Sequence, residues 1–171
     1  HDRSLFDVYG YSIGQPKLDK MREKISGAFD FFRDIHSLSD IEALKIIHND
    51  KIDIAIDLTG YTSQSRTGIF AYRVAPIQVN YLGYPGTLGA DFMDYIVADP
   101  ILIPEDKRRH YSEQIIYLPN TYQPTDNTRN ISEKVITRED MGLPSGGFVF
   151  CCFNNSYKIS PKEFDIWMRL M

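Results

Sequence analysis

Within Pro76-Ile77-Gln78-Val79-Asn80-Tyr81-Leu82-Gly83-Tyr84-Pro85-Gly86-Thr87 an apolar stretch ends in a loop whose composition suits contact with a ligand. Gly83 and Gly86 let a backbone come close to a bound group, and Pro85 fixes the loop between them, so the segment reads as a rigid site wall. Other reactive types are less well placed. Asp53 and Asp57 are four apart and can share one strand face, but the commoner fate of such residues is capping or solvation at strand ends. Cys151 and Cys152 are adjacent in an apolar stretch and read as two buried thiols. They lack the Cys-x-x-Cys or Cys/His spacing of a metal or redox site. His48 sits on an apolar-periodic helix, where a partly buried histidine with a local hydrogen bond is expected, and His36 and His110 are no better placed for catalysis.

At the level of composition, 171 residues with 43% apolar and 25% charged side chains suit a globular protein with one core of reasonable size. A net charge of −4 argues against generic nucleic-acid binding, and the one tight basic cluster, Lys107-Arg108-Arg109-His110, reads as a solvated helix face. No apolar run approaches the roughly 18 to 20 residues of a membrane span. No secretory signal opens the chain, so no membrane partner and a cytoplasmic location are expected.

The elements that would position the loop alternate between strand and helix. Leu5–Tyr11, Phe29–Phe32, Ile52–Leu58, Ile77–Leu82, Met93–Val97 and Gln114–Leu118 read as strands. Lys17–Ser26 reads as a helix, and Ser39 as the N-cap of another whose face carries Ile41, Leu44, Ile47 and His48. Arg66–Val74 is expected to be a short helix. Such spacing predicts a doubly wound α/β architecture, a parallel sheet with ligand sites at the carboxyl ends of its strands. Residues 119–145, rich in Pro, Asn, Thr and Asp, read as a connecting segment with a short helix over Thr137–Pro144. A strand at Phe148–Phe153 and a helix opened by Ser160-Pro161 predict the start of a second α/β domain over 146–171, cut off within that helix.

The loop at 82–87 keeps company with Asp57-Leu58-Thr59-Gly60-Tyr61-Thr62, Phe92-Met93-Asp94-Tyr95-Ile96, Tyr111-Ser112-Glu113 and Phe153-Asn154-Asn155-Ser156-Tyr157-Lys158. In that order, over essentially the whole chain, these motifs resemble the catalytic region of the O-linked N-acetylglucosamine transferase family, glycosyltransferase family 41, which includes the SPINDLY-type proteins. The resemblance implies a fold of two Rossmann-like domains (type B), with residues 1–118 belonging to the first. It implies transfer of N-acetylglucosamine, or fucose in some plant relatives, from a nucleotide sugar such as UDP-N-acetylglucosamine to Ser or Thr of proteins. Tetratricopeptide repeats are expected elsewhere in the parent chain. The family's histidine-containing loops are expected ahead of the strand that opens this chain, so the fragment is expected to be inactive alone.

Carried over by position, Leu82, Gly83 and Pro85 line the sugar pocket, Tyr157 and Lys158 meet the sugar and the donor phosphates, and Asn155 stands where animal enzymes have a glutamine near the diphosphate. Arg66 matches an arginine after the Gly-Tyr-Thr turn, while Ser63 replaces a lysine. Breaking a sugar–diphosphate bond builds negative charge on the leaving oxygen, and Lys158, at an expected strand end and ahead of a helix start at Ser160, is the residue expected to stabilise it. The Asp-x-Asp pattern of metal-dependent sugar transferases is absent, so neither a metal nor another cofactor is expected. Tyr61 and Tyr84 either stack on a sugar or peptide face or pack in the core. Two other functions fit the same residues: another nucleotide-sugar enzyme of this fold, or a non-catalytic α/β module that binds proteins.

Overall fold

The computed structural model describes residues 1–171. It divides into two compact units, His1–Thr125 and Asp126–Met171. In the first, strands β1 (Tyr9–Ser12), β2 (Phe31–Asp34), β3 (Ile54–Asp57), β4 (Ile77–Asn80), β5 (Tyr95–Ala98) and β6 (Gln114–Tyr117) are joined through helices α1 (Lys20–Ser26) and α2 (Asp40–Asn49) and two 3-10 helices, Thr67–Tyr72 and Glu105–His110. Every pairing is parallel. β1 pairs with β2, and β3-β4-β5-β6 form a second sheet in sequence order, with Asp57 opposite Asn80 at the β3–β4 carboxyl end. Parallel strands need crossovers rather than tight hairpins, which is why each strand is followed by a helix or a long loop.

β-branched residues fill the strands (IAID, IQVN, YIVA, QIIY), as a pleated, half-buried surface favours. One core gathers Ile35, Ala43, Ile47, Ile69 and Val74, and a second gathers Ile96, Ala98 and Ile103. Helix α2 starts at a full capping box: the Ser39 hydroxyl accepts from the Glu42 N–H, and the Glu42 carboxylate accepts from the Ser39 N–H at 2.8 Å. Its far end is pinned by Asp50, which accepts from Tyr11 Oη at 2.7 Å and Arg33 Nε at 2.7 Å and so ties α2 to β1 and β2. Arg33 holds the Asp50 carboxyl below its usual range, and burial beside Asp50 pushes the Tyr11 phenol well up.

Several expected elements differ. The buried face of α2 is Ala43 and Ile47; Ile41 and His48 are exposed, because the stripe that meets the core is rotated toward Ala43. The segment expected as a helix over 66–74 is a 3-10 helix ended by Arg73 in the left-handed region at φ 55°. Thr, Gly, Ile, Phe and Tyr are weak helix formers, which favours the shorter element. The opening strand is Tyr9–Ser12 and its partner Phe31–Asp34, each displaced toward the carboxyl side of the expected span.

In the second unit, Thr137–Pro144 forms turns around Gly142 at φ 65° rather than a helix. Phe148–Phe153 makes no strand, since a strand exists only through a neighbour's ladder and nothing in 126–171 supplies one. Cys151 and Cys152 are accordingly exposed, not buried. Helix α3 (Pro161–Leu170) has proline in its first turn, but the Ser160 hydroxyl donates to the Glu163 carboxylate instead of capping the backbone. No helix is long and apolar enough to cross a membrane.

Candidate functional site

At the carboxyl end of the four-stranded sheet, polar side chains at or just beyond three strand ends organise the loops. Asp57 closes β3 and is buried; its carboxylate accepts from Thr59 N at 2.8 Å, Thr59 Oγ1 at 2.7 Å and Gly60 N at 3.0 Å. Asp53 lies before β3 and is exposed, so the two aspartates do not act as a pair. Asp99, just past β5, accepts from the backbone of Leu102 (2.8 Å), Tyr122 (2.9 Å) and Ile101 (2.9 Å), and these N–H donors hold its carboxyl below the usual range.

Asn80 ends β4 with its side chain wholly buried. Its Nδ2 donates to the carbonyls of Tyr84 (3.1 Å) and Gly86 (3.3 Å), while its Oδ1 has no partner within the protein. Asn80 thus folds the following loop back over its own strand. That loop also carries Leu82 in the left-handed region at φ 74°, where a branched side chain is uncommon. Gly83 follows, and a Cβ there would lie 2.2 Å from the Leu58 carbonyl oxygen. The close approach that Gly83 permits is therefore between the β4 and β3 loops. Gly60, at φ 54°, does the same from the other side, where a Cβ would lie 2.5 Å from Tyr84 Cβ.

The far side of the loop is held from the start of β6. Glu113 is buried, and its two oxygens accept from Leu88 N and from Thr87 Oγ1, both at 2.6 Å. Tyr111 Oη donates to the Pro85 carbonyl at 3.2 Å; burial, then Glu113 and Tyr84, push its phenol up, so it remains a proton donor. Tyr61 Oη donates to the Leu88 carbonyl at 2.8 Å, and its ring tilts against that of Tyr84 at 5.7 Å. Both tyrosines are thus engaged within the protein. Arg66 is used structurally too, with Nε and Nη2 donating to Asp40 and Nη1 to the Ile35 carbonyl at 2.7 Å.

The expected site residues fall into two groups, one in each unit. Leu82, Gly83 and Pro85 share the braced loop; Gly83 and Pro85 are exposed and Leu82 is half-buried. Asn155, Tyr157 and Lys158 lie together on a 3-10 turn in which Lys158 N donates to the Asn155 carbonyl at 3.0 Å, and all three side chains are exposed. Lys158 therefore stands on a turn, not at a strand end, with α3 beginning three residues later. A groove of about 620 Å³ lined by Leu44, Lys45, His48, Asn49, Tyr72 and Arg73 lies ahead of β3 and β4, at the opposite end of the strands. Its lining contains none of the expected site residues.

The residues that sequence reasoning missed are the braces Asn80, Glu113 and Tyr111. The motif Tyr111-Ser112-Glu113 was visible, but its partners lie some 25 positions back along the chain. No local pattern announces such a contact.

Residues 1–134 match the family described as glycosyl transferase family 41. The chain is 36% identical over its full length to an Arabidopsis thaliana protein named probable UDP-N-acetylglucosamine–peptide N-acetylglucosaminyltransferase SEC, of which it covers 18%. It is 33% identical over its full length to a SPINDLY protein of Eustoma exaltatum, covering 19% of it. A Caenorhabditis elegans UDP-N-acetylglucosamine–peptide N-acetylglucosaminyltransferase is 36% identical over 81% of this chain and 12% of its own length. A lysine-to-methionine variant of Thermobaculum terrenum O-GlcNAc transferase superposes with a TM-score of 0.82 at 32% identity, over 99% of this chain and 31% of that one. The chain thus spans less than a fifth of the length of these curated relatives.

Proposed function

Because the chain belongs to glycosyl transferase family 41, we propose that it is a segment of a protein O-glycosyltransferase that moves N-acetylglucosamine from a UDP-linked donor to Ser or Thr hydroxyls. The observation that carries this is the full-length match to relatives named as UDP-N-acetylglucosamine–peptide N-acetylglucosaminyltransferases. In this reading the acceptor hydroxyl oxygen forms the new bond to the anomeric carbon as the bond to the diphosphate oxygen breaks, and the hydroxyl proton passes to a general base. Leu82, Gly83 and Pro85 line the sugar, and the bracing of their loop supports that role by holding it before ligand arrives. Tyr157 and Lys158 meet the sugar and phosphates, and Asn155 stands near the diphosphate. Lys158 stabilises the departing phosphate oxygen, which its exposed ammonium can approach. The charge is met by protein groups, without a metal.

A cytoplasmic setting and tetratricopeptide repeats elsewhere in the complete gene product belong to the same proposal, on the family resemblance. The test is titration of UDP, GDP and UDP-N-acetylglucosamine against the complete gene product. Preference for the uridine ligands supports the reading; binding of none of them refutes it.

A further inference from the structure

We propose that Glu113 is a positioning residue for the donor sugar, fixing the Pro85–Leu88 backbone so that the N–H groups of Gly86 and Thr87 are presented to sugar oxygens. This rests on the transferase reading above and names the part of the site that reads the sugar.

The carbonyls of the loop are turned toward the protein. Tyr84 and Gly86 carbonyls accept from Asn80 Nδ2, the Pro85 carbonyl from Tyr111 Oη, and the Leu88 carbonyl from Tyr61 Oη. A trans peptide is planar, with its N–H opposite its carbonyl. Turning the Pro85 and Gly86 carbonyls toward Tyr111 and Asn80 therefore turns the Gly86 and Thr87 N–H groups the other way. Neither N–H has an acceptor within the protein. Two adjacent donors left free on a braced loop suit an oxygen-rich ligand, and the absence of a side chain at Gly86 makes room for the Tyr84 ring, whose atoms lie 2.9–3.1 Å from where a Cβ would sit.

Glu113 sets this orientation from the loop's far end. It takes the Leu88 N–H on one oxygen and the Thr87 hydroxyl on the other, both at 2.6 Å. Thr87 Oγ1 in turn accepts from Gly89 N at 3.0 Å, so one buried carboxylate holds residues 87–89 as a unit. Without it, the buried Leu88 N–H loses its acceptor and the segment reorients to find another.

The test uses the complete gene product with Glu113→Ala and Glu113→Gln, titrated separately with UDP and with UDP-N-acetylglucosamine, alongside thermal unfolding. Loss of one well-aimed hydrogen bond predicts sugar-nucleotide binding about tenfold weaker in Glu113→Ala. UDP binding stays within about twofold of wild type, because the loop contacts only the sugar. Glu113→Gln keeps an acceptor for Leu88 N–H and gives a smaller loss in the same direction; it also carries the test if the alanine variant does not fold. Unchanged binding of both ligands by a folded variant overturns the assignment, as does equal loss of both together with a lowered melting temperature. A wild-type protein that binds neither ligand overturns the transferase reading as well.

Discussion

Lys158 and Gly83 show how differently two of the expected site residues are tied to the fold, each within its own unit. Lys158 is exposed on a short turn, so Lys158→Ala is expected to lower turnover of the complete gene product by roughly a hundredfold while leaving the melting temperature in place. Unaltered turnover would remove Lys158 from the chemistry. Gly83 has no such freedom: an alanine Cβ would meet the Leu58 carbonyl oxygen at 2.2 Å, and backbone cannot give way as a flexible side-chain tip does. Gly83→Ala is expected to destabilise by about 2 kcal/mol in urea unfolding, against roughly 1 kcal/mol for Gly89→Ala. At Gly89 the φ of +59° is the only obstacle, since nothing lies within 4 Å of the added carbon. The glycines of the loop were legible in the sequence because glycine has few other uses at such a turn. The chain that Gly83 approaches was not, because Leu58 lies on a different strand end.

At the scale of elements, local signals held where their partners are local. Ser39 and Glu42 are three apart and close a capping box on α2, so both the start and the type of that helix were readable. Ser39→Ala is expected to cost about 1 kcal/mol, measured by chemical denaturation, with the sheet unaffected. The Ser160 hydroxyl carries the same residue type at a helix start but turns to Glu163, and the helix begins on its proline alone. Phe148-Val149-Phe150-Cys151-Cys152-Phe153 has the composition of a strand and no ladder partner in its unit, which composition cannot reveal. Conversely, Thr67–Tyr72 falls within a span expected to be helical, but its residues are too weak in helix propensity to sustain an α-helix.

At the scale of the molecule, acidic residues of His1–Thr125 fasten one element to the next. Arg22 hydrogen-bonds Asp34 and holds its carboxyl low, and Arg33 does the same for Asp50. Burial pushes Asp94 up, but hydrogen bonds from Arg73 and the Gln78 N–H outweigh it and leave that carboxyl low. A carboxyl lowered in the folded state contributes stability that is present above its unfolded value and is lost as the pH falls through its folded value. The denaturation midpoint is therefore expected to be flat near neutrality and to drop below about pH 4, with neutralisation of Asp50 (Asp50→Asn) reducing the size of that drop. A drop of equal size in the variant would remove Asp50 from the acid response.

The parallel α/β class was visible from alternating strands and helices, and the loop at the β4 end from its glycines and proline. The clamp formed by Asn80, Tyr111 and Glu113 arises only when β4 and β6 are brought to either side of β5. Mass spectrometry of proteins incubated with the complete gene product and UDP-N-acetylglucosamine, GDP-fucose or UDP-glucose tests the central claim most directly. The account predicts one N-acetylhexosamine mass added to Ser or Thr, from UDP-N-acetylglucosamine alone. No sugar transferred from any donor by a folded protein would contradict it.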